Sequence, residues 1–201
     1  MRARAWFIQM LFLALLPAVV KATTLPPIPI ADLYKEADMV AKVQILSGQV
    51  LGIGENACGA KYNALVEEAY KGVRPGETIE FGNFYGYEVG NQYLLFLVRP
   101  GRTHEPMMST NSIYMDAKQN FFKRCAPQLR RHTVMHSGYG ALPISRPVEF
   151  NYVDAVRVPR RYVTLPLETR AKPARLGEIG EYSEMVWVRA EDMSKLLNGL
   201  R

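Results

Sequence analysis

Apolar and polar residues alternate along residues 39–50, and this pattern predicts a β-strand with one buried face. The odd-numbered positions from 39 to 45 are apolar, whereas Lys42 and Gln44 lie between them. A strand buried on both faces is predicted for residues 93–98, which read YLLFLV and are apolar throughout. The second segment therefore belongs at the centre of a sheet.

Shorter patterns add further elements. We interpret residues 61–70 as a strand, because residues 71–76 (KGVRPG) are typical of a turn and residues 78–81 (TIEF) of a second strand. Residues 32–38 predict one helical turn with Asp32 as its cap. A C-terminal helix is predicted for residues 190–200, where Met and Leu recur at helical spacing behind two acidic residues.

The remaining strand signals are weaker. Alternation predicts one or two strands within residues 111–122, one strand over residues 148–158 and another over residues 181–188. Pro159 and Pro166 argue against a central strand between the last two. The sequence therefore predicts a mainly β protein that ends in a short helix.

The N-terminal segment, residues 1–22, predicts a secretory signal peptide. Arg2 and Arg4 precede an almost wholly apolar stretch, and the small residues Val20 and Ala22 stand at the expected cleavage site. The alternatives are a buried N-terminal helix or a retained membrane anchor. A signal peptide implies export to the periplasm or the cell exterior.

Export changes the interpretation of the two cysteines, Cys58 and Cys125. In an exported protein an even number of cysteines usually indicates a disulfide. This bond would close a loop of 67 residues (125 − 58) and would stabilise the fold by roughly 4 kcal/mol. The alternative is a pair of free thiols.

The formal net charge of +6 is distributed unevenly. Residues 23–122 hold 8 basic and 11 acidic side chains, whereas residues 123–175 hold 11 basic and 3 acidic ones. The basic block predicts a surface for an acidic partner or an anionic membrane. Its candidate binding residues are Arg130, Arg131, Arg160 and Arg161. The alternative is a solvated basic face, or loops that dock on the acidic part of the chain.

Other candidate chemistry is sparse. Tyr85 and Tyr87, in a Gly- and Tyr-rich loop, would stack on sugars or on partner side chains, or else pack locally over the end of a barrel. His132 and His136 would share a metal only on a helix, and their surroundings favour packed or surface histidines. We therefore predict no catalytic residues, no metal and no cofactor.

Short motifs between residues 37 and 97 resemble those of the netrin-like or TIMP-like modules of exported bacterial proteins. They are Ala37-Asp38-Met39-Val40, Lys71-Gly72, Gly76, Ile79, Phe81, Gly90 and the stretch 93–97. The resemblance covers about residues 32–128, and Cys125 resembles the later cysteine of such modules. It implies an OB-like five-stranded barrel.

The departures from that family matter as much. Its animal metalloprotease inhibitors use an N-terminal cysteine to chelate the zinc of the protease, whereas no cysteine precedes Cys58 here. We therefore expect a signal peptide (1–22), an OB-fold domain (23–128) and a C-terminal β/α extension (129–201). The expected function is non-enzymatic binding of an exported or envelope protein. Contact with a membrane surface, without spanning it, is a further alternative, and nucleic acid is not expected. The alternative functions are a protease inhibitor without the cysteine mechanism, and an enzyme with an unrecognised site.

Overall fold

The structure is a computed structural model, and it describes residues 26–53, 56–82, 86–99, 132–136, 139–174 and 184–201. Several predicted features lie outside these residues: the signal peptide, the strand within 111–122, Tyr85, Cys125, Arg130 and Arg131. None of the described helices is long and apolar enough to cross a membrane.

The described part of the chain contains eleven strands, two α-helices and a 3-10 helix. In chain order they are β1 (Ile28–Pro29), α1 (Ile30–Glu36), β2 (Met39–Ile53), β3 (Asn56–Lys71), β4 (Thr78–Gly82), β5 (Gln92–Val98), β6 (His132–Val134), β7 (Ala141–Ser145), the 3-10 helix (Val148–Phe150), β8 (Ala155–Pro159), β9 (Val163–Thr164), β10 (Ala171–Pro173), β11 (Met185–Arg189) and α2 (Ala190–Asn198).

Five strands close into a barrel. The ladders join β5 to β2, β2 to β3, β3 to β4, β4 to β6, and β6 back to β5. The pairing of β4 with β6 is parallel and the other four are antiparallel. This is the five-stranded arrangement of an OB-like barrel, which the resemblance to netrin-like or TIMP-like modules implied. The fifth strand, β6, comes just after residue 128 and so from sequence that we assigned to the extension.

The apolar strand β5 separates two hydrophobic cores. Leu95 and Leu97 face the barrel interior, together with the apolar side chains of β2, β3 and β4. Leu94 and Phe96 face the second core, which is completed by the extension and both helices. Because successive side chains of a strand point to opposite faces, a strand between two cores must be apolar throughout. The central position predicted for residues 93–98 is confirmed.

One edge of β5 is shared by two strands. Leu97 and Val98 pair with β6, whereas the earlier residues pair with β7. Between these ladders the Phe96 amide donates to the Gly140 carbonyl (2.7 Å) and its carbonyl accepts from the Met135 amide (3.0 Å). A Cβ atom at residue 140 would lie 3.0 Å from the Phe96 oxygen. The chain passes from the barrel to the extension at this point, and the glycine at residue 140 allows its backbone to lie close to that of Phe96.

The extension continues the sheet outward from β5. Strands β7, β8, β11 and β10 follow in that order, all antiparallel. Val156, Val158, Val186 and Val188 face the second core. The predicted C-terminal helix is confirmed as α2, which buries Met193 and Leu197 there.

The motif residues near residues 38 and 72 meet at the base of the barrel. The Asp38 carboxylate accepts from the Arg99 amide (2.8 Å). Lys71 Nζ donates to the carbonyls of Tyr34 and Lys35 at the end of α1, each at 2.9 Å. Gly72 lies against the Asp38 backbone with a φ of 69°. These residues therefore have a structural role, because they join the end of β3 to α1 and to the start of β2.

Two local predictions were wrong. Residues 148–158 do not form one strand, because a 3-10 helix and a turn occupy the first half and only Ala155–Pro159 is extended. Asp32 does not cap α1: the helix begins at Ile30 after the N-cap Pro29, and Asp32 lies in the first turn. In both places a proline, Pro147 or Pro29, precedes the helical turn with extended backbone geometry.

Candidate functional site

A row of cationic and aromatic side chains crosses three strands of the extension. Lys172 on β10 pairs in register with Trp187 on β11, and Trp187 pairs with Arg157 on β8. Their neighbours Val186 and Val188 face the second core, so this row lies on the opposite face of the sheet. Directly opposed residues on one face are cross-strand contacts. We name Arg157, Lys172, Trp187 and Arg189 the basic face.

Arg189 joins this face because it is two residues after Trp187 on the same strand. Arg189 and Lys172 both lie over the ring of Phe150, at 5.6 and 5.1 Å from its centroid. Phe150 is buried, which partly desolvates the two contacts. The ring therefore holds both cations at the end of the sheet where the 146–154 connection crosses.

Arg157 and Lys172 have no acidic partner within the described part of the chain, whereas Arg189 acts on Glu191, whose pKa is lowered first by Lys195 and more weakly by Arg189. No ion pair there involves Arg157, Lys172 or Arg189, whereas Arg146 beside them pairs with Asp154 at 2.9 Å. Lys172 donates instead to the Glu149 carbonyl (2.9 Å). Two strand spacings separate the Cα atoms of Arg157 and Lys172 by about 10 Å, which is comparable with the distance over which charges are screened at moderate salt.

Arg160 and Arg161 lie together in the turn after β8, at the other end of that strand from the 146–154 connection. Both are exposed. The Arg161 guanidinium lies 5.7 Å from the centroid of Tyr162, whose ring stacks on Tyr139 at 4.0 Å. Burial, followed by the contact with Tyr162, raises the pKa of Tyr139. This predicted pair thus belongs to a second, separate basic surface.

Tyr87 is placed over the end of the barrel. Its ring makes edge contacts with Tyr62, Phe81 and Tyr93, at centroid distances of 5.0, 5.3 and 5.3 Å. Burial is the main cause that raises the pKa of its phenol, and the neighbouring tyrosines add to it. Tyr87 contacts none of the described arginines discussed above. Its ring packs against the neighbouring aromatic rings at the end of the barrel.

The two described histidines do not share a helix. His132 lies on β6, and burial lowers its pKa, which favours the neutral form. His136 follows that strand, with Nε2 at 3.9 Å from a carboxylate oxygen of Glu36. Within the described residues no group of three potential metal ligands occurs.

Sequence reasoning missed the basic face. The strand at 181–188 was predicted, and its alternation already separates Trp187 from Val186 and Val188. The sequence does not reveal which strands lie beside β11, so the alignment of Lys172, Trp187 and Arg157 could not be derived from it.

The fold places the chain in the class of OB-like barrels with an extended sheet. Comparison with protein-family models, with curated proteins and with solved structures found no match.

Proposed function

We propose that this chain is an exported, non-enzymatic binding protein that holds an acidic protein partner on its basic face. The observation that carries the proposal is the row formed by Lys172, Trp187 and Arg157, whose cations have no acidic partner in the described part of the chain. Unpaired cations on one face attract acidic surfaces and accelerate association. A tryptophan between them offers a large apolar contact of the kind that dominates binding energies.

We also propose membership of the netrin-like or TIMP-like modules. Two observations support this: the strand order of the barrel, and the meeting of Asp38, Lys71 and Gly72 at its base. In this proposal the motif residues maintain the barrel, while binding falls to the extension. No observation favours the protease-inhibitor alternative.

A disulfide between Cys58 and Cys125 is part of the proposal, and the barrel permits it. His132 pairs with Phe81, and Phe81 pairs with Tyr62. Cys58 lies four residues from Tyr62 along β3. Two strand spacings and four residues put the Cα atoms of His132 and Cys58 about 16 Å apart. The seven residues from Cys125 to His132 reach up to about 25 Å, which covers this separation.

The binding proposal is tested with a labelled glutamate-rich peptide and fluorescence anisotropy. The double variant Arg157→Glu/Lys172→Glu is expected to bind about tenfold more weakly than the wild type, which corresponds to about 1.4 kcal/mol. Raising the ionic strength is expected to reduce the difference in affinity between the wild type and the double variant, because exposed charges are screened.

The matched control is Arg160→Glu/Arg161→Glu, which changes the net charge equally on the separate surface. We expect it to retain most of the affinity. Equal losses in both double variants would mean that only the net charge matters, and an unchanged affinity in Arg157→Glu/Lys172→Glu would refute the proposal. A pull-down from the native exported fraction with the same variants then identifies the partner.

A further inference from the structure

The turn before β8 has an unusual backbone. The Val153 amide donates to the Phe150 carbonyl (3.2 Å), which closes a β-turn around Asn151 and Tyr152. Both central residues have positive φ, 51° for Asn151 and 67° for Tyr152. Positive φ at both positions defines a type I′ turn, in which Asn-Gly is the preferred pair. Asn151 fits this preference, whereas a bulky tyrosine stands where glycine is favoured.

The side chain of Tyr152 makes few contacts that could offset this backbone strain. It is 83% exposed, and no hydrogen bond or ring contact involves its side chain among the described residues. Val148, four residues earlier, is 87% exposed, and Val153 is also exposed. Three of the seven large exposed apolar side chains in the described part of the chain are therefore in this one connection. Residues with strained backbone conformations cluster at binding and catalytic sites, so the strain at Tyr152 points to a functional role.

The strained turn is fixed to the basic face. Lys172 Nζ donates to the Glu149 carbonyl at 2.9 Å, between Val148 and Phe150. The Phe150 ring lies under Lys172 and Arg189. The exposed apolar side chains therefore lie beside Arg189 and beside Lys172, which forms no ion pair with any described residue.

We infer that Tyr152 and Val148 are the apolar anchor of the basic face, and that they insert into the partner next to its acidic side chains. This inference rests on the proposed function and specifies the partner: a protein segment that carries apolar residues among carboxylates. Such an arrangement, with an aromatic anchor inside a polar rim, is typical of protein interfaces.

A protein fits this turn better than a membrane does. The connection also carries the acidic residues Glu149 and Asp154, and moving their carboxylates from water into hydrocarbon would be costly. A protein surface can supply hydrogen bonds to the same groups. The charge of the basic face is complementary to carboxylates on that surface.

The test compares two labelled peptides of equal negative charge, one built of glutamates alone and the other with Leu and Phe at its centre. The wild type is expected to bind the apolar-containing peptide about tenfold more tightly. Tyr152→Gly is expected to abolish this preference while it retains the affinity for the all-glutamate peptide. Val148→Ser is the second variant and is expected to reduce the preference in part.

A stability measurement accompanies the binding measurement. Glycine adopts the turn conformation without strain, so Tyr152→Gly is expected to raise the melting temperature by about 2–4 °C. A variant that is more stable yet binds less well cannot have lost affinity through unfolding. Val153→Ser, on the same connection, controls for a general loss of apolar surface.

The outcomes are distinguishable. If Arg157→Glu/Lys172→Glu binds both peptides as the wild type does, the proposed function fails. If that variant loses affinity for both peptides while Tyr152→Gly still prefers the apolar-containing peptide, the inference about the apolar anchor is refuted and the proposed function stands. Binding to phosphatidylglycerol vesicles that Tyr152→Gly abolishes, without peptide discrimination by the wild type, would overturn the protein partner in favour of a membrane.

Discussion

Gly72 allows a close contact at the base of the barrel, and replacing it with alanine tests that part of the fold. The residue follows β3 with a φ of 69°, and a Cβ atom added there would lie well under 3.0 Å from the Asp38 carbonyl oxygen. That oxygen is backbone and cannot rotate away as a flexible side chain can. The Asp38 carboxylate is itself held by the Arg99 amide, so a shift would disturb the junction of β2 and β5.

The chain supplies a matched control in Gly76, four residues later. Its φ is 83°, and a Cβ atom there would have no neighbour within 4 Å. Gly76→Ala therefore carries only the backbone cost of positive φ, about 1–2 kcal/mol. Gly72→Ala carries that cost and an overpacking cost of about 1–3 kcal/mol. We expect Gly72→Ala to lower the free energy of unfolding by about 2–5 kcal/mol, and Gly76→Ala by about 1–2 kcal/mol.

Urea denaturation followed by tryptophan fluorescence and by far-ultraviolet circular dichroism measures both variants. The difference between their unfolding free energies isolates the contact with Asp38, because the backbone cost is common to both. Equal destabilisation by the two substitutions would show that the backbone at Asp38 moves away at little cost. The structural role assigned to Lys71-Gly72 would then be wrong. The dependence of the unfolding free energy on urea concentration is compared first, because a changed slope in only one variant would indicate an altered unfolded state.

Two further predictions concern the cysteines and Tyr87. Protein isolated without reductant and then unfolded is expected to show no reactive thiol until it is reduced; two reactive thiols before reduction would exclude the bond between Cys58 and Cys125. Burial raises the pKa of Tyr87 above its usual value, so its contribution to stability is complete below the unfolded pKa of about 10 and is lost as the pH rises above it. Tyr87→Phe is expected to lose less stability than the wild type between about pH 9 and about pH 11 in urea titrations, and an equal loss in both would contradict the assignment.

Individual strands of the barrel could be predicted because their signals are local, whereas the closed barrel was expected only from the resemblance. Residues 93–98 are apolar on both faces, and a strand between two cores is the physical reason. The turn after Lys71 was recognisable from its glycines. By contrast, residues 148–150 alternate like a strand but form a 3-10 helix after Pro147, and the contacts of Phe150 with Lys172 and Arg189 come from strands far along the chain.

The basic face could be predicted only in part. The excess of arginine and lysine in residues 123–175 indicated a basic surface. Its centre, Trp187, lies outside that block and is brought beside Arg157 and Lys172 only by strand pairing. The positive φ of Tyr152 could not be predicted from the sequence either, because tyrosine is not typical of a type I′ turn.

The shared edge of β5 has a consequence for how the protein unfolds. Phe96 donates to Gly140 and accepts from Met135, while its side chain fills the second core. Neither β6 nor β7 can leave β5 without exposing part of an apolar strand that the other half of the molecule also needs. Barrel and extension therefore form one cooperative unit, in which the amide of Phe96 should be among the last to exchange with solvent. The extension is thus not a detachable appendage, and a ligand bound to it would stabilise the barrel as well.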